Sequence, residues 1–229
     1  EVQVHVFLRR QDLMITSWHK GRVMKGKRMS KLNLLQDTHL LLYPNILENW
    51  ERHFGRSSLN IHLYDESISG NAGISLMTSK VGLSGIYGKL TPDPSDIRDH
   101  KWKLSLQEVE LFRQCARMLA SSKDFPVFRD IFFAEYINPS SKNTWKKKID
   151  HCLMENIKPI PIDANWLAGQ ISRNKEVCSK FEIDSNSSHL KDEFLSMDSR
   201  VKVARILNRS PISNLAKEIV DSFQNLQKK

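Results

Sequence analysis

Two apolar runs, far apart in the chain, set the strongest constraint on its fold. Val2, Val4, Val6, Phe7 and Leu8 make a β-rich run that ends at Arg9-Arg10. Leu59-Asn60-Ile61-His62-Leu63-Tyr64 alternates apolar and polar residues, the period of a half-buried strand. Helical signals fill the space between. Asp12 to Lys20 has helical character, with Asp12 as a candidate cap. Pro44 to Phe54 predicts a clearer helix, because proline suits a first helical position and Gly55 suits its end. Leu47, Trp50 and Phe54 fall on one face of that helix. The order strand, helices, strand predicts a parallel crossover, since parallel strands cannot be joined by a tight turn. The basic stretch Lys20–Lys31, with Gly21 and Gly26, reads as a mobile connection inside this unit.

From Pro92 the character shifts. Asn71–Lys80 predicts one short helix, closed by Gly82, and Pro92-Asp93-Pro94 reads as a break. Ser105-x-x-Glu108 has the pattern of a capping box, with Val109, Phe112, Ala116 and Leu119 on one face behind it. Phe125–Tyr136 is aromatic-rich with a helical period. Asp163–Phe181 is the longest periodic run, and Ser210-Pro211 opens a last amphipathic helix through Ile212, Leu215, Ile219, Phe223 and Leu226. Asp184–Ser188 reads as a loop. The expected class is α/β: a partial, P-loop-like parallel sheet with flanking helices, then a mainly helical C-terminal region. We expect residues 1–90 to form the α/β core and residues 91–229 a helical region packing on it, because a two-strand remnant is too small to be stable alone.

The 229 residues carry a formal net charge of +9, which points to an anionic partner. No run is long and apolar enough for a membrane span, and no signal pattern opens the chain. A cytoplasmic location is the expectation. Cys115, Cys152 and Cys178 are too widely spaced for a zinc knuckle or a disulfide scaffold, so they read as reduced core residues. His19, His39, His53 and His62 lack metal-ligand spacing, and no metal is expected.

Chemistry concentrates in the stretch from His5 to Trp18. An arginine at a strand's C-terminal end lies where ligands of open α/β sheets collect. A following helix brings a hydroxyl and backbone amides toward the same point, and together these make a phosphate clamp. Arg9 and Ser17, eight positions apart, are the candidate phosphate-binding residues. Without a ligand, Arg9 and Arg10 would be a solvated turn and Ser17 a surface serine. Arg10 stays open between clamp and turn.

The segment Arg9-Arg10-Gln11-Asp12 through Ser17 resembles the 3′-phosphate-binding motif of PAPS-dependent sulfotransferases, in the form seen in bacterial carbohydrate sulfotransferase-like proteins. Leu47-x-x-Trp50-x-x-x-Phe54-Gly55, then Leu59–Tyr64 and Asp65-Glu66, resembles the helix-to-strand passage of that family. Trp166–Phe181, with Arg173-Asn174, resembles its closing helix. The resemblance implies a transferase that moves a sulfuryl group from PAPS to a hydroxyl of a carbohydrate or glycolipid, as in polysaccharide biosynthesis. It also implies a 5′-phosphosulfate loop and a general base, and neither has a counterpart in this sequence. The chain therefore reads as a C-terminal portion, inactive alone, and no catalytic residue is assigned.

The rival expectation is a basic helical module that binds nucleic acid, or a non-catalytic interaction partner. Lys146-Lys147-Lys148 beside Trp145 would serve nucleic acid, although a solvated charged face explains them as well. Gly82-x-x-Gly85-x-x-Gly88-Lys89 lacks the ending of a phosphate loop. Asn174, on an apolar stripe, should be hydrogen-bonded for packing.

Overall fold

The computed structural model describes residues 2–26, 39–64, 78–83, 104–119, 123–137, 145–184, 188–197 and 202–227. The protein is mixed α/β and mostly helical, with a small parallel sheet. The backbone divides into two compact units. The first takes Glu1–Met14, Gln36–Trp102 and Ile162–Val201; the second takes Ile15–Leu35, Lys103–Pro161 and Lys202–Lys229.

In the first unit, β1 (Val4–Leu8) and β2 (Leu59–Leu63) pair in parallel, Val4 against Leu59 through Leu8 against Leu63. This is the crossover expected from the sequence. A third strand, β3 (Ile183–Asp184), joins parallel to β2 through Ile61 and His62. Helix α1 (Gln11–Met24) begins directly after β1, and α2 (Tyr43–Phe54) carries proline in its first turn. Gly55 stops α2 at a φ of 81°, and its N–H donates to the Glu51 carbonyl. That left-handed φ suits glycine, which has no Cβ to clash. Helices α3 (Ala164–Lys180) and α4 (Ser188–Ser196) complete the unit. Leu8, Leu47, Ile61, Leu63, Val177, Phe181 and Phe194 share one core. Of the aromatics placed on the inner face of α2, Trp50 and Phe54 are instead exposed and meet edge to face.

The second unit is built on aromatic packing. Helix α5 (Leu106–Met118) opens with a complete capping box: the Ser105 hydroxyl accepts from the Glu108 N–H, and the Glu108 carboxylate accepts from the Ser105 N–H. Helix α6 (Phe125–Ile131) runs into a wider π turn over Phe132–Ile137. Helix α7 (Trp145–Asn156) leads into β4 (Ile157–Pro161), which pairs antiparallel with β5 (Lys202–Ile206). Helix α8 (Arg209–Gln227) packs along α5 and α7. Phe112 touches the rings of Phe125, Phe128, Phe132 and Phe133 at centroid distances from 4.9 to 6.3 Å.

Several local expectations are corrected. Asp12 does not cap α1 from outside. It lies fully buried inside the first turn and pairs with Arg10. The helix also runs past Gly21 to Met24, because Val23 and Met24 bury in the second unit's core. Gly26, in the turn just after it, has a φ of 80°; a Cβ there would meet the Phe125 ring at 3.2 Å. Asp184, expected in a loop, belongs to β3. Of the helix expected over Asn71–Lys80, only Thr78–Lys80 is described, and it is helical. Gly82 donates its N–H to the Ser79 carbonyl just after it. Lys27, Arg28, Lys31, Asp65, Glu66, the Gly85–Lys89 stretch and the Pro92-Asp93-Pro94 break lie outside the described residues.

Candidate phosphate site at the sheet edge

Arg9 follows the last residue of β1, and Tyr64 follows the last residue of β2. Because Leu8 is level with Leu63, the two side chains leave the same edge of the sheet. The Tyr64 N–H donates to the Leu8 carbonyl at 2.7 Å, which extends the pairing by one step. The Arg9 guanidinium lies 5.8 Å from the Tyr64 ring centroid, within reach of a cation–π contact. A buried phenol then fixes the Arg9 backbone: the Tyr43 hydroxyl donates to the Arg9 carbonyl at 2.5 Å. Burial pushes the Tyr43 phenol well above its ordinary range, so it stays a donor.

Arg10 points elsewhere. It forks onto Asp12, Nε to Oδ1 at 3.3 Å and Nη2 to Oδ2 at 2.8 Å. Asp12 is completely buried, and a carboxylate in that state needs a paired cation. Arg10 thus answers the question left open by the sequence: its guanidinium compensates a buried acid.

Gln11 and Asn174 make a reciprocal amide pair, at 2.6 and 3.1 Å, and the Asn174 amide also donates to the Phe194 carbonyl at 2.8 Å. Both side chains are buried, so the pair anchors the start of α1 to the first unit's interior. This is the packing role expected for Asn174.

Ser17 is exposed. It lies two residues from the buried Ile15 and two from the buried His19. At about 100° per residue, that puts it on the opposite face of α1 from both. The residue belongs to the part of α1 that packs in the second unit. No protein family, characterised protein or solved structure that was compared matches this chain.

Most of the remaining candidates have partners or are buried. Lys146 pairs with Glu108 and Asp150, and Lys148 with Glu218 and the Trp145 ring. Two of the three adjacent lysines are therefore compensated within their own unit, as a solvated charged face requires. His62 is buried and stacks on His5 and Phe7, with His5 Nδ1 and His62 Nε2 at 3.0 Å. His19 is buried and its Nδ1 has no hydrogen-bond partner among the described residues; burial lowers its pKa. No described helix is long and apolar enough to cross a membrane.

Tyr43 and Tyr64 are the residues that sequence reading missed. A usable signal existed for Tyr64: in a parallel pair, the residues that follow the two strands share one edge, so Tyr64 follows from Arg9 once the pairing is assumed. Tyr43 had no such signal, because its hydroxyl reaches a backbone atom distant in sequence.

Proposed function

We propose that this chain is a sulfotransferase-like protein whose Arg9 edge receives the 3′-phosphate of PAPS, for transfer of the sulfuryl group to a carbohydrate hydroxyl. One observation carries the reading. Arg9 stands at the C-terminal end of a parallel strand, immediately before a helix, with its backbone fixed by Tyr43. A guanidinium matches a phosphate because its planar donors reach two oxygens at once. Arg10 cancels the charge of Asp12, so the buried acid does not stand uncompensated beside an incoming anion. Tyr64 offers an aromatic surface beside the same cation. The family resemblance adds Ser17 as a hydroxyl donor to that phosphate. No residue described is assigned as the base that would deprotonate the acceptor.

The test compares two nucleotides that differ in the 3′-phosphate. Adenosine 3′,5′-bisphosphate should raise the melting temperature of the protein, and adenosine 5′-monophosphate at the same concentration should not. Equal shifts from both would remove the 3′-phosphate role. Ser17→Ala should reduce the shift less than Arg9→Ala, since a neutral donor is weaker than a charged one.

A further inference from the structure

A separate feature of the second unit points to a ligand of its own. We infer that a cleft of about 510 Å³, bounded by α5, β5 and α8, binds a small organic phosphate or sulfate monoester. Its walls carry two kinds of surface. Arg117 of α5 and Arg209 of α8 supply charge, while Met118, Ile206 and Ile212 supply an apolar side.

Among the described residues, no acid compensates that charge. Arg113 also lines the cleft, but it is committed: its Nε and Nη2 donate to both oxygens of Glu110, at 2.8 and 2.5 Å. Gln114 donates to the same carboxylate at 2.8 Å. Glu110 is therefore occupied by its own helix and is not presented to the cleft as a counter-charge. Neither Arg117 nor Arg209 forms an ion pair with any described residue, and both are exposed. Two guanidiniums lining one concavity, with no described acid paired to them, favour a ligand group with several anionic oxygens. The inference rests on these side chains and not on the start of α8, where the Asn208 side chain already accepts from the Ser210 N–H.

The apolar wall sets the rest of the ligand. Ile212 is buried, Ile206 is half-buried and Met118 is exposed, so the lining grades from core to solvent. An inorganic ion would leave that wall uncovered. A monoester whose carbon chain lies along it would gain from covering it. Ser213 offers a neutral hydroxyl on the same lining. This site is independent of the Arg9 edge.

Hexyl phosphate, inorganic phosphate and hexanol form the probe set, titrated into the whole protein and followed by amide chemical shifts. Hexyl phosphate should bind saturably, roughly tenfold or more tightly than inorganic phosphate, with shifts on residues around Arg117 and Arg209. Hexanol should not saturate. Arg117→Ala combined with Arg209→Ala should weaken hexyl phosphate by tenfold or more, roughly. Both residues are exposed, so the double variant should keep its fold, checked by an unchanged circular dichroism spectrum. Met118→Ser should narrow the gap between hexyl phosphate and inorganic phosphate. Vesicles containing phosphatidic acid separate a membrane source from a soluble one: the protein should not sediment with them. Unaltered binding in the double arginine variant, equal binding of hexyl and inorganic phosphate, no saturation by hexyl phosphate, or vesicle binding without hexyl phosphate binding would each overturn the inference.

Discussion

Two buried polar pairs hold the start of α1 in the first unit, whereas the second unit's interior is mainly a cluster of rings, beside one buried ion pair, Arg113–Glu110. In the first, Gln11 and Asn174 exchange amide hydrogen bonds beyond the reach of water, and Arg10 holds a buried Asp12. In the second, Phe112, Phe125, Phe128, Phe132, Tyr136 and Phe223 form a chain of ring contacts. Ring packing draws on apolar area and tolerates small changes of angle. Buried polar pairs are directional, and each leaves an unsatisfied group if one member is lost. The polar solution fixes the start of α1 just after Arg9.

Substitutions can break that contrast. The largest effect is expected from Phe112→Ala, which should destabilise the second unit by about 3–5 kcal/mol by opening a cavity at the centre of the ring cluster. Amide hydrogen exchange along α5 should accelerate far more than along α3. Equal acceleration in both would show that the units do not have separate cores. Asn174→Ala is expected to cost about 1–3 kcal/mol, because it strands the Gln11 amide in the interior. The loss should be read as faster exchange at the start of α1 and along α3. Asn174→Ala combined with Gln11→Leu should recover part of the loss, since the stranded Gln11 amide is then gone and only the Phe194 carbonyl lacks its Asn174 donor. If Asn174→Ala costs no more than a surface change, the polar pairing is not what orders the first unit.

Ser105→Ala removes one half of the capping box and should cost about 1 kcal/mol, measured as a lower denaturant midpoint. A smaller effect, dependent on pH, should come from His19. Burial depresses its folded-state pKa below the ordinary value near 6.5. The unfolded chain then takes up a proton first as pH falls. The stability contribution is therefore complete above about 6.5 and is lost as pH drops from there toward the folded pKa. His19→Gln should flatten that part of the stability profile, followed by urea midpoints at stepped pH. A profile that stays equally steep would assign the dependence to other groups.

The elements that were legible carry strong local signals. The alternation of Leu59–Tyr64, the proline and glycine bracketing α2 and the Ser105–Glu108 pair all encode their structure within a few residues. The antiparallel ribbon of β4 and β5 was not legible. Pro159 and Pro161 argue against a strand, and they are tolerated because β4 pairs with β5 alone. Strand β3 is two residues long, and its pairing comes from β2 rather than from any pattern of its own. At the candidate site Arg9 was legible from its place after a strand. The Arg10–Asp12 pair was not, because burial of Asp12 is decided by the packing of α1.

Arg9 is proposed to hold a nucleotide phosphate at the edge of the parallel sheet. Calorimetric titration with adenosine 3′,5′-bisphosphate, run on the native chain and on Arg9→Ala, tests it most directly. Saturable binding by the native chain is expected, with a loss of about 1.5–3 kcal/mol of binding free energy in the variant, the range for a hydrogen bond to a charged group. Equal binding by the two proteins, with the variant's circular dichroism unchanged, would contradict it.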